Sequence, residues 1–129
     1  MQANISRIAV ITGASSGIGK ELAIQLARDD VQVVLAARNA DRLSKLEQNI
    51  KSNGGKCIAV PTDVSKPEDI NYLKEKVSDL GTINILINNA GVGYFGPLEE
   101  LSIEDWNCQI NVNLRASFLL SQAFVPSMK

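Results

Sequence analysis

The residues best suited to chemistry in this sequence are a run of glycines and hydroxyls, Thr12-Gly13-Ala14-Ser15-Ser16-Gly17-Ile18-Gly19. The run follows a short apolar stretch, residues 8 to 11, and leads straight into a segment of helical period. Glycine lets a chain turn sharply and lets its backbone come close to a ligand. A helix N-terminus adds unpaired N–H groups and the positive end of the helix dipole, so the chemistry on offer is anion binding, as of a pyrophosphate. Gly13, Ser15, Ser16, Gly17, Ile18 and Gly19 are the candidate contacts. A tight strand-to-helix turn would also use glycine for geometry alone; the strand-turn-helix setting is what favours a nucleotide.

Other chemistries are excluded by composition. No histidine occurs in the 129 residues, which removes Ser-His-Asp hydrolysis and histidine-ligated zinc. Cys57 and Cys108 form no C-x-x-C and read as small buried hydrophobes, and no metal site is expected. With 13 Lys plus Arg against 14 Asp plus Glu, the net charge of −1 lacks the basic surplus that holds nucleic acid. The N-terminus has no signal-peptide pattern and no apolar run is long enough for a membrane span, so the expected setting is cytoplasmic and Asn4-Ile5-Ser6 is a chance sequon.

The elements that must position the glycine run follow from hydrophobic period. Short β-branched runs at residues 8–11, 31–35, 56–60 (broken by Pro61) and 83–87 read as strands. Helical period covers 18–28, with Leu22, Ala23 and Leu26 on one face, and 40–52, with Leu43, Leu46 and Ile50 on one face and Asn53-Gly54-Gly55 as its stop. A third helix runs from 66 to 80 with Ser65 as N-cap and Pro67 in its first turn, and a last one from 103 or 104 to the C-terminus. Strands alternating with helices imply an α/β, Rossmann-like parallel sheet with helices on both faces and strand order 3-2-1-4, all in one domain of residues 1–129.

The spacing T-G-x-x-x-G-x-G resembles the short-chain dehydrogenase/reductase family, and three further stretches fit the same resemblance in the same order. Asp63-Val64 matches the family's adenine pocket. Asn88-Asn89-Ala90-Gly91 matches its N-N-A-G, which puts Asn89, Ala90 and Gly91 near the ribose. Trp106 to Ile110 with Val112-Asn113-Leu114 matches the start of its fifth helix, where the asparagine corresponding to Asn113 holds the water of a proton relay. By resemblance the complete protein is an oxidoreductase that moves a hydride between a nicotinamide ring and an alcohol or ketone.

The cofactor is argued from charge. An NAD(H) site places a carboxylate at the end of strand two for the ribose hydroxyls, whereas a 2′-phosphate needs cations. That end reads Leu35-Ala36-Ala37-Arg38-Asn39, so NADP(H) is expected over NAD(H), with Arg38 and Ser15 at the phosphate and Asn39 beside them.

The family's catalytic Ser and Tyr-x-x-x-Lys, which the resemblance puts beyond the fifth helix, find no match here; of its Asn, Ser, Tyr, Lys set only Asn113 is present. The sequence therefore reads as a cofactor-binding part truncated after that helix, inactive alone, its alcohol or ketone substrate engaged only by the complete protein. Tyr72-Leu73-Lys74-Glu75-Lys76 has the Y-x-x-x-K spacing, but on a helix packed against a sheet face, away from the crevice. Tyr94 is assigned to a substrate wall or lid. Two rivals remain: a non-catalytic dinucleotide-binding or interaction module, and an S-adenosylmethionine methyltransferase, which wants an acid where Ala37-Arg38 stands. An apolar edge at 83–87 and an apolar last helix, exposing Phe118 and Phe124, imply a homo-oligomer with a contact through residues 106 to 126.

Overall fold

In the computed structural model, which describes residues 7–129, four strands carry the β-branched runs: β1 (Ile8–Thr12), β2 (Gln32–Ala37), β3 (Cys57–Pro61) and β4 (Ile85–Ile87). The Asn4 sequon lies outside the described residues. All pairings are parallel and the order is β3-β2-β1-β4, with Val10 opposite Val34 and Leu86, and Val34 opposite Ile58. The expected α/β sheet with order 3-2-1-4 is present.

Parallel neighbours need crossovers, and these are α1 (Gly17–Arg28), α2 (Ala40–Ser52) and α3 (Pro67–Ser78). The two sheet faces bury separate cores. On one, Ile11, Val33, Leu35 and Ala37 pack with Ala23 and Ala27 of α1 and Leu43, Leu46 and Ile50 of α2. On the other, Val10, Val34, Ala36 and Val60 pack with Ile70, Leu73 and Val77 of α3 and with Leu120 and Phe124 of the C-terminal helix. Spacings of three and four put each helix's apolar residues on one stripe, and each large side chain so buried stabilises by about 1.5–3 kcal/mol. Helices on both faces leave the carboxyl ends of the strands as the open end.

Several boundaries differ from the sequence reading. Helix α3 is N-capped by Lys66 with no side-chain capping bond, because Ser65 turns its hydroxyl to Asp63 instead. Strand β4 begins at Ile85: Ile83 is buried in the core, and Asn84 joins Ile8 through its own N–H and through its side-chain Oδ1, each at 2.9 Å. Strand β2 runs on to Ala37, and Pro61 closes β3 opposite it instead of breaking the strand. In α1 the buried face is Gly19, Ala23 and Ala27, with Leu22 and Leu26 only partly covered.

The last helix is not uniform. It consists of α4 (Ile103–Ile110), a π-helical turn over Asn111–Arg115, and α5 (Ala116–Met128). Phe124, expected outside with Phe118, is 2% exposed and faces the core, whereas Phe118 is 63% exposed. Cys57 is buried as expected, and burial together with the neighbouring Glu47 pushes its thiol up to about 11, Lys51 opposing. Cys108 corrects the expectation for its pair, since it lies exposed on α4.

Candidate functional site at the carboxyl end of the sheet

The junction of β1 with the segment after β4 is organised around Thr12, the last residue of β1, which is buried. Its hydroxyl oxygen accepts from the N–H groups of Asn89 and Ala90, both at 3.0 Å, and donates to the Ile87 carbonyl at 3.4 Å. Asn89 returns the contact, its Nδ2 donating to the Gly13 carbonyl at 3.2 Å. The glycine turn and the segment after β4 are thereby bound as one unit.

That closeness explains two glycines. A Cβ on Gly13, at φ +64°, would stand 2.9 Å from Ala90 Cα, and one on Gly19 would collide with Asn89 Nδ2 and the Gly13 carbonyl. Gly17 differs. Its φ of +57° calls for glycine, yet nothing lies within 4 Å of where its Cβ would be. Open space therefore faces the start of α1. Ser16 is the N-cap residue but its hydroxyl makes no capping bond, and the first intrahelical bond runs from the Lys20 N–H to the Ser16 carbonyl. The N–H groups of Gly17, Ile18 and Gly19 precede that bond and need partners from outside the helix.

A cleft of about 560 Å³ opens in front of this turn. Among the residues expected at a site, Gly13, Ser15, Ser16, Arg38, Asn39, Asp63, Val64, Asn89, Ala90 and Gly91 line it. Gly17 lines an adjoining recess; Gly19 lies behind the turn, and the Ile18 side chain is 72% exposed. Five further lining residues were not among the expected cofactor contacts: Ala37, Arg42, Thr62, Val92 and Val112.

Asn39 is the N-cap of α2, its Oδ1 accepting from the Arg42 N–H at 3.0 Å, which fixes the helix to the end of β2 where Arg38 stands. Across the cleft, Asp63 Oδ1 accepts from the Ser65 hydroxyl at 2.6 Å and from the Ser65 N–H at 3.0 Å. Those bonds, the hydroxyl foremost, hold its carboxyl below the usual carboxylate range against the opposing effect of burial, and Arg38 and Lys66 add to them. An ionised acid and an arginine thus face one cleft.

Asn113, expected at a relay water, sits in the π turn and spends both ends of its amide on Val92: Oδ1 accepts from the N–H at 2.9 Å and Nδ2 donates to the carbonyl at 2.8 Å. One turn earlier Gln109 does similar work, its Oε1 accepting from the Tyr94 N–H at 3.3 Å. Gln109 was missed because nothing local in its sequence marks a contact with a loop 15 residues away. Tyr94 therefore belongs to a loop held against α4, and its hydroxyl reaches the Pro97 carbonyl at 3.5 Å. Tyr72 and Lys76 lie elsewhere: the ammonium sits 5.4 Å above the ring centroid, a cation–π contact on α3, and neither residue lines the cleft. Among the described residues no group of three or more His, Cys, Asp or Glu is gathered as metal ligands would be.

The model of the short chain dehydrogenase family matches residues 7–129. An uncharacterized oxidoreductase of Listeria monocytogenes is 38% identical over 123 residues, which are 95% of this chain and 50% of that protein. Among solved structures, a metagenomic short-chain oxidoreductase in complex with NADP superposes with a TM-score of 0.92 at 39% identity, covering 98% of this chain and 58% of that one. An alcohol dehydrogenase from the archaeon Thermococcus sibiricus, complexed with 5-hydroxy-NADP, gives 0.91 at 40% identity and covers 96% and 54%. The chain spans about half the length of the curated relatives it matches.

Proposed function

This chain belongs to the short chain dehydrogenase family, and from that premise we propose that it is the NADP(H)-binding portion of an oxidoreductase acting on an alcohol or ketone. The observation that carries the cofactor choice is Arg38 at the cleft mouth, with Ala37 where an NAD(H) site wants an acid. The NADP and 5-hydroxy-NADP of the two solved neighbours support the same reading. NADPH, when bound, supplies a hydride. The chain's own residues do the holding: Gly13, Ser16, Gly17, Ile18 and Gly19 form the turn for the pyrophosphate, with Ser15, Arg38 and Asn39 at the 2′-phosphate. Asp63 and Val64 take the adenine, Asn89, Ala90 and Gly91 border the ribose, and Asn113, whose amide holds Val92, stands where the resemblance puts the asparagine of the proton relay.

A substrate oxyanion formed by hydride transfer needs a proton donor, and no tyrosine paired with a lysine borders this cleft among the described residues. We therefore expect cofactor binding without turnover from the 129-residue chain. That same observation favours a second reading, a dinucleotide-binding module without catalysis. Simple ketones with NADPH, followed by absorbance, test the inactivity of this chain: turnover lost in Tyr94→Phe would make the loop the acid, and turnover lost in Tyr72→Phe would reinstate the α3 pair; absence of turnover in the full-length protein would favour the second reading. Calorimetry should show NADPH binding more tightly than NADH, and Arg38→Asp should invert that order, one charged hydrogen bond to phosphate being worth roughly 1.5–3 kcal/mol. A wild-type preference for NADH would sink the cofactor reading.

The setting proposed is cytoplasmic, and no helix among the described residues is long and apolar enough to cross a membrane. A homo-oligomer is proposed through residues 106 to 126, where Trp106, Leu114 and Phe118 stand out from the surface.

A further inference from the structure

The cofactor cleft does not end at Arg38. A second recess of about 370 Å³ lies between α1 and α2, and the two spaces share Ser15, Ser16 and Arg42 as walls. Beyond that junction the recess is bordered by Lys20 and Lys45, and no acid lines it. In the cleft itself the arginines are opposed by Asp63. Arg38 helps hold the Asp63 carboxyl ionised, so part of its field is already answered by that carboxylate. Asp41, the acid nearest to Arg42 in sequence, lines neither space. The only ion pair among the described residues is Lys51 with Glu47, which leaves Arg42 without an acidic partner there.

On the reading that the ligand is NADP(H), we infer that Arg42 is a specificity-determining residue: it closes the 2′-phosphate seat from the recess side, with Lys45 behind it. The backbone supports this assignment. Asn39 Oδ1 caps the Arg42 N–H, so the first turn of α2 is anchored to the end of β2 and Arg42 is delivered to the junction of the two spaces. A phosphate there meets Arg38 from the strand end and Arg42 from the helix. It also meets the Ser15 hydroxyl from the glycine turn, a donor set that a ribose hydroxyl would leave unused.

The test is calorimetric titration of the 129-residue chain with NADPH, NADH and 2′,5′-ADP at low ionic strength, where exposed cations act most strongly. Arg42→Ala should weaken NADPH and 2′,5′-ADP by about tenfold while leaving NADH unchanged, as expected for an exposed charged hydrogen bond. Arg42→Lys should recover part of the loss. Arg28→Ala, which removes a positive charge at the far end of α1, should change nothing. An Arg42→Ala chain that keeps the wild-type NADPH-to-NADH ratio overturns the inference and leaves the cofactor reading standing. So does an equal loss of both dinucleotides in an Arg42→Ala chain whose thermal unfolding matches the wild type. A wild-type chain without preference for NADPH fails the reading beneath it.

Discussion

Asn113 grips Val92 by both ends of its side chain, at 2.9 and 2.8 Å, and so converts one residue of a loop into the equivalent of a paired strand residue. The π turn in which Asn113 stands is the kind of helix irregularity that clusters at functional sites. With Gln109 on Tyr94, two side-chain amides four residues apart hold the loop that lies between the glycine-rich cleft and the C-terminal helix. The consequence is a loop that is ordered by side chains and not by a ladder.

That arrangement gives an exchange measurement. In Asn113→Ala the Val92 amide should lose its protection, and in Gln109→Ala the Tyr94 amide should, each without change in the β1 amides. Each loss of a side-chain bond to an exposed or half-covered amide should cost about 1 kcal/mol. Uniform loss of protection through the sheet would mean that the asparagine supports the whole fold and not the loop.

Thr12 carries more than its size suggests, because two N–H groups depend on one buried oxygen. Thr12→Val keeps the shape and removes the acceptor, so urea denaturation should show a loss of about 1–3 kcal/mol for each N–H left unpaired, and Thr12→Ser should restore most of it. Gly19→Ala should also destabilise, by driving a methyl into Asn89 and the Gly13 carbonyl. Gly17→Ala meets open space and should cost only the roughly 1–2 kcal/mol of left-handed backbone, while weakening whatever binds against that turn.

How much of this was legible beforehand depends on range. The βα alternation, the strand order and the glycine turn are written in local pattern, and the residues at strand ends, Arg38, Asp63 and Ala90 among them, follow once the sheet is parallel. The contacts of Thr12, Arg42 and Gln109 were not legible, although Thr12 heads the glycine run. Their roles depend on partners brought close by the fold: Thr12 meets residues 77 and 78 positions away. Ser65 shows the competing case, a sound N-cap by type that was drawn to Asp63 by a bond of 2.6 Å. Phe124 turned inward for another reason: α5 packs on α3 and the sheet, and the periodic apolar residues on that side had no room to face out.

The bond to Ser65 sets a pH dependence. Asp63 is held below its ordinary carboxylate value in the fold, so its contribution is present above the unfolded value of 3.8 and is lost as pH falls through the lower folded value. Ser65→Ala removes the hydroxyl that is the largest cause, so the Asp63 carboxyl should titrate closer to 3.8 when followed by carbon-detected NMR, and acid unfolding should begin at higher pH. An unchanged titration would assign the depression to the Ser65 N–H, Arg38 and Lys66 instead, and a shift in Arg38→Ala would then give the share of the guanidinium.

The proposed homo-oligomer rests on the outward apolar residues of the C-terminal helices. Trp106, Leu114 and Phe118 are each more than half exposed, and in water each forgoes part of the roughly 1.5–3 kcal/mol that full burial supplies. Strand β4 offers a second surface, since it pairs with β1 on one side only and its three residues are half-buried. Phe124 is in the core and cannot contribute, so the proposed contact is assigned to the face that includes Phe118. Phe118→Glu should therefore shift sedimentation equilibrium at micromolar concentration toward monomer while leaving the thermal unfolding of the subunit intact, because it removes an intermolecular contact and touches no core residue. Phe124→Glu should instead unfold the chain, since it would bury a charge among Leu120, Leu73 and Val77. If the wild-type chain is a folded monomer and Phe118→Glu changes nothing, the stripe is not an interface between copies of this chain.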